Sequence, residues 1–486
     1  MIRRACLLSI ILAASCGGKK KEAAPDPAAG SGSSAAPVAD PVEAGRLISE
    51  AEIKGWLDAL MARLDANAKR RCTPPRISEK TAAGAGTDQL VQLFEGKGEL
   101  ASCMSKLGEL AQGGTLKSDI DAGLPSVLAF DEACGVLIGD KVLDAAAHTE
   151  GCSPYQVGVR AEPKELMRSI QLAHAISLHA KKLAAAGKTD EALRLSVAGL
   201  RVMQDLTRGH VTLVIAMVGA AGTQIVADRA GAILDTVKPT EEERALLAAS
   251  IDSLIVGVPL WADLMAGERD NMDIYFGAAQ LMPKTWVPPG GWNEDMRPKD
   301  GGKDPFPVDH FGNPRDESAI LLQMTTENAA EMARVCPEGA SYAVCHKGME
   351  TLGAGAKPAA ETDLKALYGE LARAATSASP DLPAIRTRIR AAISQILRGV
   401  TQPEMAKYPA KLGEMVSRLA ALRIQLETKK GPCPTGEELA APPYSILASP
   451  PPLGDKVTLA VEPGIVRVGP PSWVDPVKVW TFTCAK

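Results

Sequence analysis

Apolar residues recur at three- and four-residue spacing through most of this chain, and this pattern constrains its fold more than any other feature. The first such stripe comprises Ile53, Trp56, Leu57, Leu60, Met61 and Leu64. This spacing predicts helices that bury one face, and Ser49 with Glu52 and Thr240 with Glu243 are spaced as capping boxes. Aromatic residues make up only 4% of the chain, so aliphatic residues and alanine, the strongest helix former, must build the core. The sequence therefore predicts a mostly α fold, either a helical bundle or an array of helical hairpins.

The same pattern places the remaining helices. They are expected almost continuously over residues 163–282, and again from near Asp316, Thr362, Leu382 and Pro403, the last ending near Lys430. Glycine and proline interrupt the pattern between residues 115 and 156, where we expect loops and short helices. The most apolar run, residues 211–222, is shorter than the roughly 20 residues that a membrane span needs. We expect it to form a buried helix.

The C-terminal region has a different pattern. Residues 456–461, 465–468 and 477–483 are β-branched and partly alternating, which predicts a small antiparallel sheet. We expect Cys433 and Cys484 to bracket this region and close it by a disulfide.

The N-terminal 16 residues have the order of an export signal. Arg3 and Arg4 precede an apolar run, Leu7 to Ala14, and small residues then lead to Cys16. A basic start, a short apolar segment and small residues before a cleavage point are typical of a segment that is removed after export. An ordinary secretory signal with an incidental cysteine is the alternative.

The segment Leu12-Ala13-Ala14-Ser15-Cys16 resembles the lipobox of bacterial lipoproteins, apart from alanine at residue 13, where leucine is usual. The resemblance implies cleavage before Cys16 and attachment of diacylglycerol to its sulfur. It also implies location in the cell envelope with membrane attachment through the lipid. Gly17 stands where inner-membrane lipoproteins carry a retention aspartate, which favours the outer membrane.

Composition divides the chain into five parts. Residues 1–15 are the expected signal peptide, and residues 16–44, which are rich in Ala, Pro and Gly, are an expected disordered tether. Residues 45–158 form an N-terminal helical region, residues 159–430 a helical domain with a long loop at 282–314, and residues 431–486 a small β-rich cap. The predicted helical domain also holds residues 183–193, which resemble the central turn of one tetratricopeptide repeat.

Cysteine usage predicts disulfides. Of ten cysteines, Cys6 would leave with the signal and Cys16 would carry lipid. Eight remain, an even number in an exported chain. Sequential pairing is the favoured arrangement, and it links Cys72 with Cys103, Cys134 with Cys152, Cys336 with Cys345, and Cys433 with Cys484.

The loop at 282–314 is the best candidate for partner binding. It is rich in Pro and Gly, yet it holds Trp286 and Trp292, two of the six tryptophans of the chain. Tryptophan is a common anchor of protein interfaces. The alternative, which we favour, is that these rings pin the loop onto the helices.

An acidic group around Gly267 is the other cluster with possible chemistry. Asp263, Glu268, Asp270 and Asp273 are close in sequence, and some of them would share one helix face. Acid–base work or cation binding is one interpretation, and a solvated helix surface is the favoured one. His174 and His179 are five residues apart, a spacing that does not place both on one metal, and we expect them at the surface or the core edge.

No sequence motif identifies a reaction, a cofactor or a metal site. The chain has 54 basic and 58 acidic residues and a net charge of −4, which argues against a nucleic-acid partner. We expect a non-enzymatic envelope lipoprotein that binds a protein or peptide partner or has a structural role. An envelope hydrolase with an unrecognised site is one alternative. The other is an assembly subunit of a secretion or pilus system, because the order of a long helix, residues 431–439 and strands resembles the soluble head of a pseudopilin.

Overall fold

The computed structural model describes residues 50–68, 86–96, 98–112, 114–148, 152–155, 157, 163–274, 330–354, 384, 388, 402–474 and 478–484. The predicted signal, Cys16, the tether, Cys72 and the loop with Trp286 and Trp292 lie outside these residues. The helices predicted to begin near Asp316 and Thr362 also lie outside them.

The described part of the chain is mostly α-helical, as predicted. Its N-terminal helices are α1 (Glu50–Ala68), α2 (Gly86–Glu95), α3 (Ala101–Ala111), α4 (Leu116–Ala122) and α5 (Pro125–His148). The central helices are α6 (Pro163–Ala185), α7 (Thr189–Asp205), α8 (Leu213–Thr236), α9 (Glu241–Val256) and α10 (Trp261–Asp273). The later helices are α11 (Tyr342–Ala354), α12 (Gln402–Thr428), α13 (Gly436–Ala440) and α14 (Tyr444–Leu447).

Helix α8 lies at the centre of the molecule. It packs against α6, α7, α10 and α12, and Gly222 permits a close approach to α7, since a Cβ there would collide with Met203. By length and composition alone α8 could cross a membrane, and among the described residues the number of such segments rises to three if each of the bent pairs α4–α5 and α9–α10 is one span. In the structure, 56% of the most apolar 18-residue segment of α8 is buried within the protein.

Residues 115–156 form an expected short helix at α4, which has seven residues, but the described residues that follow it differ from our expectation. They include α5, a helix of 24 residues, which follows the left-handed turn at Gly123 (φ 65°) and begins at Pro125. The glycines that weaken the pattern lie within α5, and they give room to a neighbouring ring. A Cβ on Gly139 would lie 3.2 Å from Cδ2 of His179 on α6. Close helix packing therefore explains residues that look like helix breakers.

The C-terminal sheet and its disulfide are present as predicted. Strands β1 (Thr458–Glu462), β2 (Ile465–Gly469) and β3 (Trp480–Thr483) form an antiparallel sheet in the order β1-β2-β3. Cys433 is bonded to Cys484. Buried residues from Leu90 through to Cys484 belong to one continuous hydrophobic core, so the sheet packs on the same core as the helices.

Buried polar side chains fasten β3 to α8 and α12. The Arg418 guanidinium lies 5.3 Å above the Trp480 ring and forms an ion pair with Asp228 at 2.6 Å. Lys429 donates a hydrogen bond from Nζ to the Thr483 carbonyl at 3.0 Å. These contacts hold a three-stranded sheet that would be marginal alone.

Disulfide pairing differs from the sequential arrangement. Cys336 is bonded to Cys345 as expected, but Cys103 is bonded to Cys134. This pairing arises because α3 packs against α5, which brings together two cysteines that sequence order assigns to different pairs. Cys152 is also disulfide-bonded, and its partner lies outside the described residues.

Candidate functional site: a buried charge cluster under the first helix

Charged side chains from three parts of the chain meet between α1 and α10. We call this group the charge cluster. It consists of Arg63 from α1, His210 from the loop between α7 and α8, and Glu268, Asp270 and Asp273 from α10. The cluster contains three of the four acidic residues that the sequence groups around Gly267.

Helix periodicity accounts for the two aspartates. Asp270 and Asp273 are three residues apart on α10, so their side chains leave the same face of the helix. Both are almost fully buried, with 0% and 1% of their surface exposed. The predicted solvated helix surface is therefore wrong for these two residues, because α1 and the loop before α8 cover them.

Gly267 lets α10 approach that loop closely. A Cβ on Gly267 would lie 3.0 Å from the carbonyl carbon of Val211 and closer still to its oxygen. Only hydrogen fits at this position, so the backbones of α10 and the loop are in direct contact. This contact places His210 and Leu213 beside the acidic residues that flank Gly267.

Asp270 is the centre of the cluster. Its Oδ1 accepts a hydrogen bond from Arg63 Nε at 2.9 Å, and its Oδ2 lies 3.0 Å from His210 Nε2. The Arg269 Nε approaches Oδ1 at 3.3 Å. Asp273 binds the other arm of the guanidinium through Arg63 Nη2. One arginine from α1 thus bridges two buried carboxylates on α10.

These contacts set the charge state of Asp270. Burial alone would raise the pKa of its carboxyl, but the hydrogen bond with His210 and the charge and hydrogen bond of Arg63 outweigh it. The pKa of Asp270 is consequently lowered, with Arg269 adding to the effect. An ionised carboxylate is therefore the stable form of this residue at neutral pH.

Glu268 has a different environment and a different task. Burial raises the pKa of its carboxyl, and the hydrogen bond from the Leu213 backbone opposes this shift. The Leu213 N–H donates to Glu268 Oε2 at 3.0 Å, and Leu213 is the first residue of α8. Thr212, which precedes it, gives no side-chain cap. Glu268 therefore caps α8 from another helix, at the end where the helix dipole favours an anion.

A second buried histidine–aspartate pair lies between α5 and α6. His179 Nδ1 is 3.1 Å from Asp131 Oδ1, and Lys182 Nζ is 3.2 Å from Asp131 Oδ2. Gly135 on α5 makes room for the His179 ring. His179 is thus buried rather than solvated. Asp131 of α5 contacts both His179 and Lys182 of α6 and so links the two helices.

His174 lies on α6, five residues before His179, and has a different electrostatic environment. Burial lowers the pKa of its imidazole from 6.5 to about 4, and Lys117 and Arg229 contribute to the shift, while Asp121 opposes it. His174 is therefore neutral over most of the physiological range, as expected for an imidazole at the edge of the core.

The arrangement of the charge cluster favours a structural role, in which it holds α1 and the start of α8 against α10, over a catalytic one. Asp270 and Asp273 are bound to an arginine, and Glu268 is bound to a helix terminus. Within the described residues, no group of three or more His, Cys, Asp or Glu side chains is placed to hold a metal ion. The His210–Asp270 pair has the geometry in which a carboxylate orients an imidazole. Spacing on α10 could reveal the two aspartates, but nothing in the sequence links them to Arg63, which is 207 residues from Asp270.

Comparisons with protein-family models, with curated proteins and with solved structures find no match for this chain.

Proposed function

We propose that this protein is a lipid-anchored protein of the bacterial envelope that binds a protein or peptide partner and catalyses no reaction. The order of the first 16 residues supports the anchor. Attachment through Cys16 would place the protein at a membrane, and Gly17 favours the outer membrane. Lipid on a cysteine stabilises membrane binding by about 0.8 kcal/mol for each buried methylene group.

The observation that carries the non-catalytic role is the use of the buried carboxylates. Asp270 and Asp273 are both bound to Arg63 of α1, the first described helix after the proposed tether. In this proposal the charge cluster fixes the base of the tether to the body of the protein. It therefore sets how the rest of the surface is presented to a partner in the envelope.

The envelope hydrolase is the second candidate, and the His210–Asp270 pair is the observation that favours it. An imidazole oriented by a buried carboxylate is a common general base. Replacing His210 with Asn separates the two functions. Loss of a hydrolytic activity in this variant would establish the enzyme and contradict the proposal that the protein catalyses no reaction, whereas loss of partner capture without any hydrolytic activity would support binding.

Localisation tests the anchor. We expect Cys16→Ser to block lipid attachment and lipoprotein processing and to reduce the amount of protein in the carbonate-washed membrane fraction. The matched control is Cys6→Ser, which changes a cysteine of the proposed signal and should leave localisation unchanged. Equal retention of the Cys16→Ser and unaltered proteins would contradict the proposal.

Crosslinking in intact cells tests partner binding. A crosslinked and affinity-purified protein should yield the same protein or peptide partner from independent preparations. Co-purification of a secretion or pilus complex would instead support the assembly-subunit alternative. Truncating Trp286 and Trp292 to Ala tests the long loop: if the rings anchor the partner, capture should weaken by about 2 kcal/mol or more, whereas we favour the result in which the rings pin the loop onto the helices. Lower stability with intact capture would show that they only pin the loop.

A further inference from the structure

The outer face of α5 is apolar and exposed. Leu128, Val136 and Leu143 expose 48%, 64% and 41% of their surfaces, whereas Ile138 and Val142 on the inner face are fully buried. At about 100° per residue, the three exposed side chains fall within roughly 80° of arc around the helix axis. They therefore form one stripe, about 22 Å long at 1.5 Å per residue.

Two acidic residues lie on or beside this stripe: Glu132 falls within its arc, and Asp140 lies about 40° outside it. Glu132 lies one turn after Leu128, and Asp140 lies one turn after Val136, so apolar and acidic side chains occupy successive turns. Both acids are exposed. Within the described part of the chain, neither forms an ion pair, although the nearby Lys141 is bound to Glu99 at 3.0 Å.

This pattern decides between the possible occupants of the face. A membrane would bury Glu132 among lipids, which is costly for an ionised side chain, and anionic lipids would repel both acids. A second copy of this chain, packed antiparallel and centred on Val136, would place Glu132 of one copy beside Asp140 of the other, and like charges at that spacing repel. A basic amphipathic helix can pack its apolar residues against the exposed apolar side chains and pair its basic residues with Glu132 and Asp140.

We propose that the outer face of α5 is the docking surface for a partner helix with alternating apolar and basic residues on successive turns. The apolar residues of that helix pack on Leu128, Val136 and Leu143, and its Lys or Arg residues pair with Glu132 and Asp140. This is the helix-in-groove type of peptide recognition, with the charges fixing the register. The proposal rests on the proposed partner-binding function and names the surface that performs it.

Synthetic peptides test the surface directly. The probe is a 20-residue helical peptide with Leu and Lys on alternate turns of one face, and the comparison peptide has Glu in place of Lys. We expect the protein to bind the Lys peptide at least tenfold more tightly than the Glu peptide. Val136→Asp should weaken Lys-peptide binding at least tenfold. The matched control is Val256→Asp on α9, because Val256 is exposed to 65%, nearly the same extent, and it should have no effect.

Charge reversal removes the remaining ambiguity. The double variant Glu132→Lys, Asp140→Lys should lose the Lys peptide and gain the Glu peptide. Equal effects of the Val136 and Val256 variants, or no change of peptide preference after charge reversal, would overturn the proposal. Val136-dependent binding to phosphatidylglycerol vesicles in place of the peptide would also overturn it, in favour of a membrane contact. Circular dichroism melts verify that each variant is folded.

Crosslinking in cells distinguishes failure of the proposed α5 docking surface from failure of the proposed partner-binding function. A photoreactive residue is placed at 136, at 256, or at 446, since Ile446 is also exposed. A partner crosslinked from 136 alone supports the docking surface. A partner crosslinked only from 446 or 256 would overturn this surface and leave the proposed function intact. No crosslinked partner from any of the three positions would overturn this surface, and if affinity purification of the crosslinked unaltered protein also yields no partner, the proposed function itself is contradicted.

Discussion

Replacing Gly267 with alanine should destabilise the protein, although alanine favours helix more than glycine does. In a free helix this change contributes about 1 kcal/mol of stability. Here the added methyl group would lie 3.0 Å from the carbonyl carbon of Val211. The colliding atoms belong to the backbone, so they cannot move away as a flexible side chain would. Helix α10 and the loop before α8 must separate.

The cost follows from the contacts that this separation weakens. Forcing extra atoms into a packed interior costs about 1–3 kcal/mol. The hydrogen bond from Leu213 to Glu268 and the His210–Asp270 pair span the same contact, and a hydrogen bond contributes about 0.5–1.5 kcal/mol, or about 1.5–3 kcal/mol when it involves a charged group. After the gain in helix propensity, we expect a net loss of about 2–4 kcal/mol in the free energy of unfolding.

Chemical denaturation of the oxidised protein measures this loss. Gly108→Ala is the matched control, since Gly108 also lies within a helix, α3, but a Cβ there has nothing within 4 Å. This control should be slightly more stable than the unaltered protein. If Gly267→Ala is as stable as Gly108→Ala, the close contact between α10 and the Val211 backbone does not exist, and the account of the charge cluster fails.

Three further changes test other parts of the structure. Arg63→Met should leave two buried aspartates without their arginine, at a cost of about 3–5 kcal/mol, and limited proteolysis should detect the release of α1. His174→Gln should reduce acid destabilisation, because the unfolded imidazole binds a proton near pH 6.5 whereas the folded one resists until about pH 4. Stability is thus lost as pH falls through this window, by about 1–3 kcal/mol, and the variant should show a flatter pH profile. Replacing Cys433 and Cys484 with Ser should destabilise the C-terminal region by about 2–4 kcal/mol, measured by hydrogen exchange in β1 to β3.

Features that depend on neighbours in sequence were predictable. The capping box of Thr240 and Glu243 forms at the start of α9, with both reciprocal hydrogen bonds. The bond between Cys336 and Cys345 closes a short loop. Each of these features needs only a local pattern, because the interacting residues are held together by a single turn or by a few residues of chain.

Features that depend on packing were not predictable. The pairing of Cys103 with Cys134 requires that α3 lie against α5. The glycines within α5 are explained by the His179 ring of α6, which packs where their Cβ atoms would lie. The burial of Asp270 requires Arg63 from α1. In each case the deciding partner comes from a separate helix, and the sequence pattern of one helix does not reveal which neighbour covers it.

Helix α1 packs in a small hydrophobic cluster that is separate from the main core, and this makes the charge cluster important for holding α1 in place. Leu57, Leu60 and Leu64 of α1 pack with Val157 and Ile274 in a small cluster that is distinct from the main core. Such a satellite cluster contributes less apolar burial, so α1 depends more on the Arg63 ion pairs than a core helix would. Local unfolding begins where apolar contacts are fewest, and α1 can therefore detach while the main core stays folded. A pull on the proposed lipid tether would act first on this helix, which is the part of the described structure nearest to the anchor in sequence.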